Sequence, residues 1–286
     1  WLVLSSVPFL HGYASGKSSI GRLDVLVRLI ADYASGYDEV LPAIRTGEDE
    51  IKLYAEITPI SFPIIIKAGI SLNQIRFFSG DAPQSELTPE ILKLYPDLLL
   101  NSTVSALGGT LSELTVDLTP VKTGPTAGLV GFRARDDVQT PIDLSGDLGN
   151  LDPAFFFEPI TLQSQNETLE IVPERFYILR SRERFRLPPD VAVFVQAMSE
   201  RLGELRIHYA GFVHPGFGYF RPEGTPLIFE TRGHNLTTFL RHGERMAVIR
   251  YFRMSEPVDE ECIRKESYHL QELTLSRHFR EWGNRE

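Results

Sequence analysis

The chain has 286 residues, 42% of them hydrophobic and 23% charged, with a net charge of −9. This composition is too apolar for a disordered chain, and its acidic balance argues against nucleic acid, which calls for a broad basic face. The single cysteine, Cys262, excludes an internal disulfide framework and any multi-cysteine metal site, and it fits a cytoplasmic protein.

In chain order, Trp1-Leu2-Val3-Leu4-Ser5 reads as a strand. Lys17-Ser18-Ser19-Ile20-Gly21-Arg22-Leu23 follows, with a short helix expected over 18–26. Ala31 lies nine residues after Arg22, and 32–39 is a candidate hairpin. Leu53-Tyr54-Ala55-Glu56 is a strand ending on a carboxylate. The longest apolar run, Phe62 to Ile66, is far too short to cross a membrane and fits a buried strand. The polar segment 79–87 marks a boundary, after which Thr88-Pro89-Glu90 caps a helix with Pro at its first position. A second short helix is expected over 199–205. The rest is short apolar segments divided by Pro and Gly turns, a β-rich pattern.

Two stretches repeat. Glu56, Gly69 and Ile75-Arg76-Phe77-Phe78 recur as Glu230, Gly243 and Ile249-Arg250-Tyr251-Phe252, at a constant offset of 174 positions. Each reads as strand, turn at Gly, strand. Arg22-Leu23 with Ala31 likewise matches Arg201-Leu202 with Ala210, and the opening strand resembles Tyr177-Ile178-Leu179-Arg180-Ser181. This is the signature of an internal duplication.

The order of these landmarks resembles the dCTP deaminases of the dUTPase-like superfamily. Lys17-Ser18-Ser19-Ile20-Gly21-Arg22-Leu23 looks like their Arg-Ser-Ser-x-x-Arg-Leu phosphate motif. The second copy adds Arg201, Ala210, His214-Pro215-Gly216-Phe217-Gly218 and Glu230, and the first adds Ala31 and Glu56. Thr115-Val116-Asp117-Leu118, Ile142-Asp143-Leu144-Ser145-Gly146 and the tail Tyr268 to Arg277 match further family segments. The resemblance implies a mainly β fold: two tandem dUTPase-like distorted β-barrels, jelly-roll-like, with a few short helices. The C-terminal half of a first copy would occupy 1–82 and a whole second copy 83–286. The first copy then begins midway through its pattern, so a longer natural chain is expected, by roughly a hundred residues upstream.

The resemblance also implies the chemistry, deamination of dCTP to dUTP and ammonia. A triphosphate needs N–H groups, hydroxyls and a cation together, which Lys17, Ser18 and Ser19 supply. Lys in place of Arg keeps the charge and loses the bidentate fork. The glutamate matched by Glu230 and Glu56 takes a proton from water and passes it to the ring nitrogen. The arginine matched by Arg22 and Arg201 fixes the charge of that glutamate, and the alanine matched by Ala31 and Ala210 offers a carbonyl to the water. His214, Gly216 and Phe217 belong to the base pocket, and Gln271 to the phosphates. For His214 a plain turn role is as good, and for Phe217 and Phe220 a core role is better. His208 and His234 fit structural histidines. Zinc is excluded, because His242-Gly243-Glu244 has no Cys pair to complete a zinc deaminase site. Mg²⁺ is expected with the triphosphate rather than as a protein-bound metal.

The two copies diverge in a complementary way. The first keeps Lys17-Ser18-Ser19 and lacks Pro-Gly-aromatic; the second keeps the hairpin and Glu230 but has Gln196-Ala197-Met198-Ser199 where Arg-Ser-Ser would stand. One copy is expected to supply the phosphate site and the other the base pocket, in a homo-oligomer with threefold domain rings such as a trimer. Other readings stay open. A bifunctional deaminase and dUTPase would release dUMP and pyrophosphate, with Asp38 the nearest hairpin carboxylate. A degenerate nucleotide sensor would bind without turnover, and an unrelated β-sandwich binding protein would do neither.

Overall fold

The computed structural model describes residues 2–3, 9–47, 50–80, 85–102, 112–164, 166–197, 205–208, 211–266 and 268–284. In the first copy, strand β1 (Leu10–Gly16) leads into a single helical turn, α1 (Ser18–Gly21), and then β2 (Val25–Ala31), β3 (Leu53–Pro59) and β4 (Asn73–Ser79). Strand β2 alternates as an amphipathic strand should, with Val25, Val27, Leu29 and Ala31 buried and Arg28 and Ile30 turned outward. It pairs antiparallel with β3, and β1 pairs antiparallel with β4.

The helix expected over 18–26 is therefore only four residues long. Asp24 has φ +57°, a left-handed conformation that no helix continues through, and the β-branched Val25 and Val27 then extend as strand. The helix expected over 199–205 falls mostly outside the described residues, and Leu205 opens a strand, Leu205–His208. The helix at 89 forms as a short turn, Pro89–Leu92. Around the 62–66 run only Phe62 is buried; Ile65 and Ile66 are exposed.

In the second copy, a curled sheet takes the order β7 (Phe157–Ile160), β6 (Gly131–Ala134), β8 (Phe176–Phe185), β5 (Ser112–Asp117), β12 (Arg245–Arg253), β9 (Val191–Ala197), β10 (Phe212–Val213). Strand β8 also pairs with β11 (Thr225–Gly233), so its two ends serve different neighbours and the sheet bends around it. The fold is mainly β with few short helices, as the resemblance implied.

The repeat is visible in space. Glu56 and Glu230 lie on β3 and β11, Phe78 and Phe252 on β4 and β12, and Gly69 and Gly243 make the intervening turns with φ +90° and +80°. Those turns need the left-handed region that glycine enters without a Cβ clash. The copies share a core. Ile20, Leu23, Val25 and Phe62 of the first pack with Phe132, Phe157, Ile178 and Ile228 of the second. A short parallel ladder, Ile64–Ile65 against Ile142–Asp143, joins them again. Along β11, Phe229 faces the second copy's own core while Ile228 faces the shared one. Period-two alternation puts Glu230 and Arg232 on the side of Ile228, toward the first copy.

Candidate active site

A cavity of about 320 Å³ lies where α1 meets β11, walled by Lys17, Ser18, Ser19 and Arg22 of the first copy and by His214, Phe217 and Glu230 of the second. At α1 the first N–H used within the turn is that of Ile20, bonded to the Lys17 carbonyl at 2.8 Å, so the turn itself makes no use of the Ser18 and Ser19 N–H groups. Lys17 Nζ reaches Ser71 Oγ at 3.4 Å. One turn carries little macrodipole, so anion attraction here rests on N–H groups, hydroxyls and the Lys17 charge rather than on a helix field.

Arg22 is buried and held from several sides. Its Nη2 donates to Gln271 Oε1 at 2.6 Å, its Nη1 donates to the Thr274 carbonyl at 3.3 Å, and its guanidinium lies 4.0 Å from the centre of the Tyr268 ring. Gln271 in turn donates to the Pro226 carbonyl at 3.0 Å. Arg22 Nε faces Glu230 Oε1 at 3.8 Å, too long for a charge-assisted hydrogen bond. Burial outweighs that contact. It pushes the Glu230 carboxyl up to about 8, with Arg22 opposing and Asp24 adding to the rise. Burial also lowers the pKa of Arg22, against the charges of Tyr268 and Glu230. The carboxyl sits directly over the α1 backbone: a Cβ on Gly21 would lie 2.1 Å from Glu230 Oε2.

His214 is half-buried with Nδ1 2.9 Å from the Pro215 carbonyl oxygen. Burial is the main cause of its lowered pKa, which favours the neutral ring. In the neutral form Nδ1–H donates to that carbonyl and Nε2 is left as an acceptor. Phe217 is both core and cavity wall, edge-on to Phe185 with centroids 6.1 Å apart. Gly216, at φ +81°, shapes the hairpin; a Cβ there would strike Ile263 at 2.4 Å. The tail is docked on α1: Ser276 Oγ donates to the Ser19 carbonyl at 2.6 Å, and Gln271 holds Arg22.

The remaining expected residues sit elsewhere. Ala31 packs in the first copy's own core, and its carbonyl accepts from Ala34 N–H at 3.3 Å, away from this cavity. Glu56 is exposed on β3 and accepts from the Tyr37 hydroxyl at 3.2 Å. Asp38 is tied to the Leu29 N–H at 2.8 Å and to Arg28 at 2.6 Å, and it lines a different cavity. Phe220 lies under the Arg264 guanidinium, outside the cavity wall. Arg201 and Ala210 lie outside the described residues. Among the described residues, no group of three or more His, Cys, Asp or Glu converges to hold a metal ion. No helix among them is long and apolar enough to cross a membrane.

Sequence reasoning passes over Gly21, Tyr268 as the ring under Arg22, and the pair Asp24 and Arg232. Arg232 lies two residues beyond Glu230 on the same strand, so strand alternation marks it; Asp24 lies in the turn after Arg22, where no periodicity points to it.

Comparison with known proteins bears on the same residues. Residues 3–81 match the family model of the 2'-deoxycytidine 5'-triphosphate deaminase (DCD) N-terminal domain, and residues 94–279 match that of its C-terminal domain. The crystal structure of 2'-deoxycytidine 5'-triphosphate deaminase from Agrobacterium tumefaciens superposes with a TM-score of 0.74 at 32% identity, over 88% of this chain and 71% of that one. Comparison with curated proteins gives no match.

Proposed function

Because the chain belongs to the 2'-deoxycytidine 5'-triphosphate deaminase family, we propose that it hydrolyses dCTP to dUTP and ammonia at the cavity between α1 and β11, with Glu230 as the proton carrier. The observation that carries this reading is the buried Glu230 facing Arg22 in the cavity that Lys17, Ser18 and Ser19 also wall. The α1 end takes the triphosphate. The hairpin end, with Phe217 and the His214 ring, takes the base.

In this mechanism Glu230 accepts a proton from water as the water oxygen bonds to C4 of the cytosine. The proton passes to N3, giving a tetrahedral carbon. The C4 hydroxyl then gives up its proton, Glu230 passes a proton to the amino group, and the C4–N4 bond breaks to release ammonia and leave the C4 carbonyl of dUTP. A carboxyl group near pH 8 both takes and gives a proton close to neutrality. Arg22, fixed by Gln271 and Tyr268, favours the ionised form that accepts the first proton. Mg²⁺ is proposed only as the partner of the substrate phosphates, and no step passes through it.

Product analysis tests the reading. Incubation with dCTP and Mg²⁺ is expected to give equimolar ammonia and dUTP, and Glu230→Gln to give neither. dUMP and pyrophosphate would replace this reading with the bifunctional one; binding of dCTP without turnover would replace it with a sensor. Asp38, the hairpin carboxylate that the bifunctional reading would use, is tied up in the first copy.

A further inference from the structure

Among the described residues, two ion pairs cross between the copies, Arg22 with Glu230 and Arg232 with Asp24. Arg232 Nη2 donates to Asp24 Oδ2 at 2.8 Å, and Ser61 Oγ donates to the same oxygen at 2.6 Å. Asp24 is fully buried and Arg232 is 9% exposed. Arg22 and Asp24 sit two apart on one segment, and Glu230 and Arg232 two apart on the facing strand. The four charges therefore alternate, positive then negative on the first copy and negative then positive on the second.

Stability alone does not account for this pair. A buried ion pair roughly breaks even against apolar side chains, because desolvation offsets the attraction. Asp24 adds two further costs: φ +57° for a non-glycine residue, and a buried Oδ1 without a hydrogen-bond partner. Such costs gather where a site needs them.

We propose that Asp24 and Arg232 are positioning residues for Glu230, a crossed ion pair that locks α1 against β11 and biases the charge of the Glu230 carboxyl. This rests on Glu230 being the proton carrier. Arg22 favours its carboxylate form, Asp24 disfavours it, and Arg232 neutralises part of Asp24. The other charged and titratable groups around the cavity are Lys17 on α1, His214 on the hairpin, and Glu266, Tyr268 and Arg277 on the tail. His208 stands opposite Glu230 in the strand register. Asp24 is the acidic group that acts on Glu230 through space, in an interior where such effects are poorly screened.

The test is a carboxyl-carbon NMR titration of glutamate-labelled protein, with the Glu230 signal assigned by its loss in Glu230→Gln, alongside pH profiles of kcat/KM. Asp24→Asn, which tolerates a positive φ, is expected to lower the Glu230 midpoint by roughly one pH unit. Arg232→Gln, which exposes Glu230 to an unpaired Asp24, is expected to raise it. The kcat/KM limb should move with the midpoint in each case. A folded Asp24→Asn protein with an unmoved midpoint overturns the proposal. If a single variant does not fold, Asp24→Asn/Arg232→Gln against wild type carries the test, and a midpoint at or above the wild-type value overturns it. The NMR midpoints need no turnover. An active Glu230→Gln enzyme would thus sink the proposed mechanism without touching the titration, and the two can fail separately.

Discussion

Gly21 and Glu230 are packed so closely that a methyl group on the glycine would lie 2.1 Å from the carboxyl oxygen Oε2. The contact joins a one-turn helix of the first copy to a strand of the second and leaves the carboxyl no room to retreat into the fold. Gly21→Ala should therefore displace the carboxyl rather than unfold the protein. We expect kcat to fall by about 100-fold, as for a misplaced catalytic group, with a stability loss of only about 1–3 kcal/mol. Steady-state kinetics beside thermal melts check this; an alanine variant with unchanged kcat would show that the carboxyl's position is immaterial.

Glu230 gives the enzyme a defined pH response. Its carboxyl sits at about 8 in the folded chain, and the proposed first step needs it ionised. The kcat/KM for dCTP should rise with pH through a single limb near 8, and fall about tenfold per unit below it. A profile flat from about pH 6 to about pH 9, a range that spans the expected midpoint, would remove Glu230 as the base.

The same raised value has a stability consequence. A folded pKa above the unfolded one favours the protonated form. The fold is therefore most favoured below the unfolded value and loses stability as pH rises from about 4.5 toward 8. Glu230→Gln mimics the protonated acid at every pH. It should be inactive yet more stable than wild type at pH 8, by up to a few kcal/mol on the order of the linkage, with the difference vanishing near pH 4. Denaturant titrations at the two pH values measure it, and equal stability at pH 8 would mean the carboxyl is not penalised by burial.

Gln271 links the tail to Arg22 by a 2.6 Å hydrogen bond and to Pro226 by one of 3.0 Å. Gln271→Leu strips a buried arginine of a partner, which costs roughly 1–3 kcal/mol. Loss of kcat together with a shifted pH limb is the expected result, because a loosened Arg22 holds Glu230 less well. A change in KM alone would instead place Gln271 on the phosphates.

Ser18 is expected to act on affinity. Ser18→Ala should raise the dCTP dissociation constant by about tenfold, the worth of one hydrogen bond to a charged group. Calorimetric titration reads this directly. A fully active variant with unchanged affinity would detach the Lys17-Ser18-Ser19 motif from the site.

Much of this arrangement is legible in the sequence because the matched stretches keep their order and spacing. The constant offset from Glu56 to Glu230 and from Gly69 to Gly243 foretells matching strands and turns, since the side chains and φ values these need are local properties. Ala31 shows the limit of transfer by motif. It is buried in the first copy's own core, because the strand that follows α1 pairs with β3 and packs Ala31 there. Asp24 and Arg232 illustrate a different limit. Their contact spans 208 positions, and neither residue announces a partner until the shared core has brought the two segments together. The helix expected over 18–26 ends early for the same nonlocal reason, as Val25 and Val27 are claimed by a strand pairing with β3.

The two halves of the cavity, α1 and β11, are carried on one polypeptide. Their meeting is an intramolecular event with a fixed effective concentration, so at this cavity it does not weaken on dilution. A substitution in either half is also inherited with its counterpart. Under the composite-site reading each copy is free to shed the portion the other supplies, as Gln196-Ala197-Met198 in place of Arg-Ser-Ser and the exposed Glu56 illustrate. On the composite-site proposal, tandem fusion would turn a symmetric repeat into a pair of specialists.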